Sequence, residues 1–181
     1  MTPTEELNHE HQVILKVLRA TRGELNKAVR DGRADRAYFE KAIDFFRSFA
    51  DRCHHAKEER HLFARLVEHG LSTESGPVAA MLYEHERGRA WVWAAAKALP
   101  NAASGDAVAL RLFTENFSFY IRMLEAHIDK EDYVLYPLAD RLLSAEEQDR
   151  LSADFARVEK EETGEGAHEK YHQLAHELAG A

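Results

Sequence analysis

With a single cysteine, Cys53, the 181-residue chain cannot form an internal disulfide. Strand formers are scarce: Val, Ile and Thr number 9, 4 and 6, against 28 Ala, 22 Glu and 19 Leu, an imbalance that predicts an all-α protein. Long apolar runs are missing as well. The most apolar stretch, Trp91 to Ala96, ends at Lys97, whereas a membrane-spanning helix needs about 20 such residues. Nor is there an excess of positive charge, since 24 Lys+Arg face 32 Asp+Glu for a formal net charge of -8, and no local cluster reverses that sign, so nucleic acid is not an expected partner. The polar start, Met1-Thr-Pro-Thr-Glu-Glu, does not resemble a signal peptide, and a cytoplasmic protein with no membrane partner is expected. At 45% hydrophobic and 31% charged residues, the composition is that of one globular domain over residues 1–181, expected as a monomer or homodimer. What the chain has in excess is histidine: eleven residues of the side chain that most often binds metals.

The apolar residues recur at helical spacing. Thr2-Pro3-Thr4-Glu5 reads as a capping box with proline at the first helical position, and Leu7, Ile14, Leu18 and Leu25 carry the stripe to Asp31-Gly32. A second helix is expected over about 35–70, with Phe39, Ile43, Phe46 and Ala50 continuing into His54, Glu58, Leu62 and Leu66. A third runs from Ser75-Gly76-Pro77 through Val78, Met81, His85, Val92 and Leu99, closed by Pro100. The fourth begins near Asp106 and carries Phe113, Phe117, Ile121, Leu124, His127, Glu131 and Leu135, with Pro137 expected to kink or end it. Ser144-Ala-Glu-Glu147 is a second capping box. The expected architecture is an up-down four-helix bundle over about 3–140 with one or two extra C-terminal helices over about 144–180.

On each of the four stripes, histidine or a His/Glu pair stands where an apolar residue belongs. The segment Cys53–Phe63 aligns with Ala126–Tyr136 at an offset of 73, matching His54, Lys57, Glu58 and Leu62 to His127, Lys130, Glu131 and Leu135. Glu10-His11 likewise matches Glu84-His85 at an offset of 74, so the chain reads as a duplicated helical hairpin. Residues four apart lie one above the other on a helix, so His54 with Glu58, and His127 with Glu131, can each face one metal centre. Unpaired in an apolar core, these polar groups would cost several kcal/mol, and a metal pair satisfies them together. The repeat therefore predicts His11, His54, His85 and His127 as terminal ligands, with Glu58 and Glu131 as bridges. Such a donor set accepts zinc, manganese or iron, and six protein ligands with room for a bridging oxygen suit an octahedral iron pair best.

These residues, His11, the His54-His-x-Lys-Glu-Glu segment, Glu84-His85 and His127-x-x-Lys-Glu-Asp-x-x-Leu-Tyr-Pro137, resemble the hemerythrin-like (HHE cation-binding) family over about residues 5–140. The resemblance implies a bundle around two non-haem Fe ions with an oxo or hydroxo bridge. It further implies reaction with dioxygen, peroxide or nitric oxide, in a catalase- or peroxidase-like or redox role, with a non-enzymatic iron or oxygen sensor or iron-binding module as the alternative. Two departures from the oxygen-carrier pattern stand out: Arg89 lies four residues after His85 where a fifth histidine is expected, and Glu131 lies four after His127 rather than five. The repeat then leaves one open position on each metal, which favours reaction with peroxide or two nitric oxide molecules over oxygen storage, unless Glu159 or Glu162 fills one.

Other residues are expected to stay outside the centre. His55 matches Ile128 in the repeat and is turned about 100° from His54, which predicts a place at the bundle edge, with a supplementary ligand as the alternative. Glu59, matching Asp132, is expected to face outward or to support a ligand, Arg89 to be solvated or to orient a carboxylate, and Cys53 to be a small buried residue. His168, His172 and His176 form a row on the last helix, read as a polar face. A ferritin-like reading is disfavoured because Glu58-Glu-Arg-His61 has no counterpart after Glu131, where Val134 takes the histidine position.

Overall fold

The computed structural model describes residues 1–164 and 167–180, apart from the side chains of residues 162, 163, 167 and 168, so Glu162 and His168 lie outside the described residues. Among the described residues six helices follow one another: α1 (Pro3–Asp31), α2 (36–68), α3 (Gly76–Ala103), α4 (107–142), α5 (145–163) and α6 (Ala167–Leu178). Both expected capping boxes form. The Thr2 hydroxyl accepts from the Glu5 amide while the Glu5 carboxylate accepts from the Thr2 amide, and Ser144 with Glu147 repeats the exchange at the start of α5. No described helix is long and apolar enough to cross a membrane.

Prolines end less than the sequence suggests. Pro100 lies inside α3, which continues to Ala103. Proline removes only its own amide donor, and the last turn is held by other groups: the Ala34 amide donates to the Ala102 carbonyl at 3.1 Å while Leu99 and Ala102 are buried. Pro137 does not end α4 either. It sits in the first positions of the renewed α-helical segment Tyr136–Leu142, where a missing amide hydrogen is tolerated.

Both long His/Glu helices carry wide turns of the π type. In α2 these are Phe46–His55 and Glu58–Leu62, and in α4 Glu131–Leu135, so each coincides with the polar positions of the stripe. The α1–α4 bundle buries its stripes in two apolar clusters. One contains Ile14, Phe39, Phe46, Phe113, Phe117 and Leu124; the other contains Leu7, Leu62, Leu66, Val78, Leu135 and Leu151. Along each of α1–α4 the buried His11, His54 and Glu58, His85, and His127 and Glu131 fall between the two, so the polar layer has apolar packing above and below it. Helices α5 and α6 lie on α1 and α2, with Leu151 and Phe155 joining one cluster and Tyr171, Ala175 and Leu178 the other.

Candidate metal centre

Each of the six predicted ligands is buried, with 2% or less of its surface exposed: His11 on α1, His54 and Glu58 on α2, His85 on α3, His127 and Glu131 on α4. They converge as the repeat requires. Two overlapping groups have ligand atoms within 4.8 Å of one another: His11, His54, Glu58 and Glu131 in one, His55, Glu58, His85 and His127 in the other. Glu58 Oε2 stands 3.6 Å from His54 Nε2 and 3.5 Å from His85 Nε2, while Glu131 Oε2 stands 3.3 Å from His11 Nε2 and 3.1 Å from His127 Nε2. Each carboxylate thus spans the two groups.

The outer nitrogen of every one of the four histidines meets a carboxylate. Nδ1 of His54 lies 2.8 Å from Glu10, that of His127 2.8 Å from Glu84, that of His11 2.6 Å from Asp132 and that of His85 2.7 Å from Glu59. These partners are themselves related by the repeat, Glu10 to Glu84 and Glu59 to Asp132. A carboxylate at Nδ1 favours the tautomer with its proton there and turns the Nε2 lone pair inward, the arrangement a metal-binding imidazole requires. Lys57 and Lys130 hold Glu10 and Glu84 in turn, and Arg89 grips Glu59 and Asp51.

Charge inside the layer is unevenly shared. Burial, and then the Glu131 carboxylate, push Glu58 well above the usual carboxylate range; burial acts the same way on Glu131 but is outweighed by His127 and His11, which hold it well below. Burial would lower His127, yet Glu131 and Glu84 raise it to about 9, and Asp132 and Glu131 raise His11 against the same penalty. Burial and the neighbouring His11 push His54 down to about 3. Without a metal, Glu131 favours the protonated forms of His127 and His11, and a bound cation would compete with those protons.

Two positions break the equivalence of the halves. His55 is not at the bundle edge: it is 4% exposed, its ring stacks on His85 at 3.8 Å between centroids, and neither ring nitrogen has a hydrogen-bond partner, Asp51 being 3.5 Å away. The wide turn Phe46–His55 rotates the chain less per residue than an α-helix, so adjacent residues 54 and 55 both face inward. A cavity of about 500 Å³, bordered by Phe46, Asp51, Arg89, Trp93 and Tyr120, reaches this ring from outside. The second position is Tyr136, opposite Phe63 in the repeat. Its hydroxyl donates to Glu58 Oε1 at 2.6 Å and lies 3.3 Å from His11 Nε2, whereas Phe63 stacks on His85. The spacing of the stripes does not single out Tyr136, and its one mark in the sequence is a hydroxyl that its counterpart Phe63 lacks.

Other candidates lie elsewhere. Glu159 meets the Lys57 ammonium at 2.6 Å, so that cation, rather than a site metal, satisfies it. His61 faces Asp154 at 3.5 Å on the bundle flank. Cys53 is buried, and burial followed by Glu10 pushes its thiol up to about 12, which disfavours the reactive thiolate. His176 is exposed beside Lys16.

An all-helical bundle with a buried layer of imidazoles and carboxylates, each imidazole supported from behind, defines a helical cation-binding protein. Residues 2–139 match the model of the hemerythrin HHE cation binding domain, and the chain belongs to that family. Similar proteins include uncharacterized proteins of Mycobacterium tuberculosis (strains ATCC 25618 / H37Rv and CDC 1551 / Oshkosh) and Mycobacterium bovis (strain ATCC BAA-935 / AF2122/97). Each is 27% identical over 165 residues, covering 91% of this chain and 64% of the relative. The chain therefore spans just under two thirds of the length of these relatives. No solved structure gives a significant match.

Proposed function

We propose that the buried layer holds two non-haem iron ions, with His11 and His54 on one side, His85 and His127 on the other, and Glu58 and Glu131 shared between them. The loaded protein is a redox protein that reacts with dioxygen, peroxide or nitric oxide. The observation that carries this reading is a set of buried acceptors with too few donors: Glu58 Oε2 and Glu131 Oε1 have no hydrogen-bond partner, and Glu131 Oε2 faces only the His11 and His127 Nε2 atoms at 3.3 and 3.1 Å, although unsatisfied buried carboxylate oxygens are expensive. A metal pair would supply Lewis acidity and electrons for small oxygen or nitrogen species. The protein's own part is to hold the imidazole tautomers through Glu10, Glu59, Glu84 and Asp132, and to exclude water with the apolar clusters above and below.

Anaerobic loading with ferrous iron should give about two irons per chain, measured by elemental analysis, and an optical spectrum that changes on separate addition of dioxygen, peroxide or nitric oxide. His54→Ala or His127→Ala should lose most of that iron, whereas His176→Ala, at an exposed ring, should keep it. One zinc and no iron after such loading would overturn the proposal.

One contact favours a second reading, a non-enzymatic iron or oxygen sensor. Lys57 joins Glu10, which touches His54, to Glu159 at the C-terminal end of α5. Metal occupancy could pass through that chain of contacts to the packing of α5 and α6. On this reading the protease sensitivity of residues 144–180 changes with iron while turnover is negligible; cleavage rates that are the same with and without iron would exclude it.

A further inference from the structure

Building on the proposed iron pair, we infer that His55 is a fifth histidine ligand and that it makes the two metal positions inequivalent. The sequence favours a place at the bundle edge over a supplementary ligand, since the repeat places Ile128 opposite it, and Arg89 occupies the position on α3 four residues after His85. In the structure the imidazole comes from α2 instead. A ring nitrogen joins the group of His85, His127 and Glu58 ligand atoms, and because the ring now stacks face to face on that of His85, at 3.8 Å and 13°, binding the same metal requires it to turn about its side-chain bonds.

Burial makes the assignment chemically specific. Imidazole is a polar group of two nitrogens, and in His55 both are buried without a hydrogen bond, whereas each of the other four histidines of the layer has a carboxylate on Nδ1. Leaving both nitrogens unsatisfied costs a desolvation penalty with nothing in return. Coordination through one nitrogen removes it, and Asp51, 3.5 Å from Nδ1, is placed to take up the remaining N–H after a small adjustment. Arg89 fixes Asp51 from the other side at 2.8 Å, so the arginine standing where a fifth histidine would otherwise fall holds the partner of the histidine that replaces it.

The consequence is a division of labour between the halves. Three imidazoles serve the metal beside the cavity, and two serve the metal beside Tyr136. The open position therefore falls on the His11 and His54 side, where the Tyr136 hydroxyl is the polar group at hand. The two equivalent open positions expected from the repeat are replaced by one.

The test is zero-field Mössbauer spectroscopy on the full chain loaded with iron-57, compared with His55→Ile, which restores the residue found at the matching position of the repeat. Wild type should show two doublets of equal area. In His55→Ile one doublet should shift or disappear while the other stays, with affinity for the second iron at least about tenfold weaker. Should the variant not fold, X-ray absorption on wild-type protein decides by counting imidazoles, five shared over two irons supporting the inference and four overturning it. Two irons per chain with a single doublet, or a variant whose iron content and both doublets match wild type, overturns the role of His55 and leaves the iron pair standing. Wild-type protein that binds no iron overturns both.

Discussion

Lys57→Ala should lower the stability of the metal-free protein by about 3–5 kcal/mol, while Lys130→Ala, at the matching position of the repeat, should cost no more than about 1 kcal/mol. Lys57 is fully buried and its ammonium is held by Glu6 at 2.6 Å, Glu10 at 2.7 Å and Glu159 at 2.6 Å. Burial disfavours the charge, but Glu10 and the other acids around it more than compensate and raise the lysine above its ordinary value. Removing the cation strands Glu10, only 2% exposed, whose carboxyl is held down to about 2 against its own burial penalty by His54 and Lys57. Lys130, by contrast, is 43% exposed where it meets Glu84, so water replaces what its loss removes. Urea unfolding in the presence of chelator measures both. Equal losses for the two lysines would show that the C-terminal helices do not create the difference.

The second large effect appears only with metal. Glu58→Gln should leave the metal-free protein within about 1 kcal/mol of wild type, or make it more stable, because Glu58 is already displaced toward its neutral form by burial and by the Glu131 carboxylate. The amide keeps an oxygen to accept from Tyr136 and brings a donor toward Glu131, whose Oε1 has no partner. Ferrous iron, however, should stabilise wild type by about 4 kcal/mol per site at a free concentration a thousandfold above Kd, and Glu58→Gln should forfeit most of that gain because an amide cannot bridge two cations as a carboxylate does. Calorimetry with chelator and with anaerobic iron gives both numbers. A variant that unfolds several kcal/mol more easily without metal, or that keeps the full iron-dependent gain, would refute the assignment of Glu58 as a bridge.

Much of this was legible in the chain itself. Helical periodicity and the Thr2 and Ser144 caps report local backbone energetics, and these depend on residues three and four apart. The convergence of His11, His54, Glu58, His85, His127 and Glu131 was legible for a related reason: a polar residue on an apolar stripe must face the core, and two matching hairpins bring their stripes to the same level. The supporting carboxylates were half legible, since Glu10 with Glu84 and Glu59 with Asp132 repeat in step, although nothing local says which imidazole each one meets. Their partners lie on other helices, as with Asp132 of α4 on His11 of α1.

Sequence by itself determined the helices, the duplicated hairpin and the six positions that meet in the core, because all three follow from spacing along a helix and from the cost of burying polar groups. Tertiary structure alone decided how the two halves differ. A wide turn, not an α-helical one, brings His55 inward beside His54; Tyr136 reaches Glu58 and His11 across the bundle where its counterpart Phe63 stacks on His85; and α5 covers Lys57 but not Lys130. Each depends on how far a backbone turn opens or on what packs over a side chain, and a repeat in sequence, which records what the halves share, carries no measure of either.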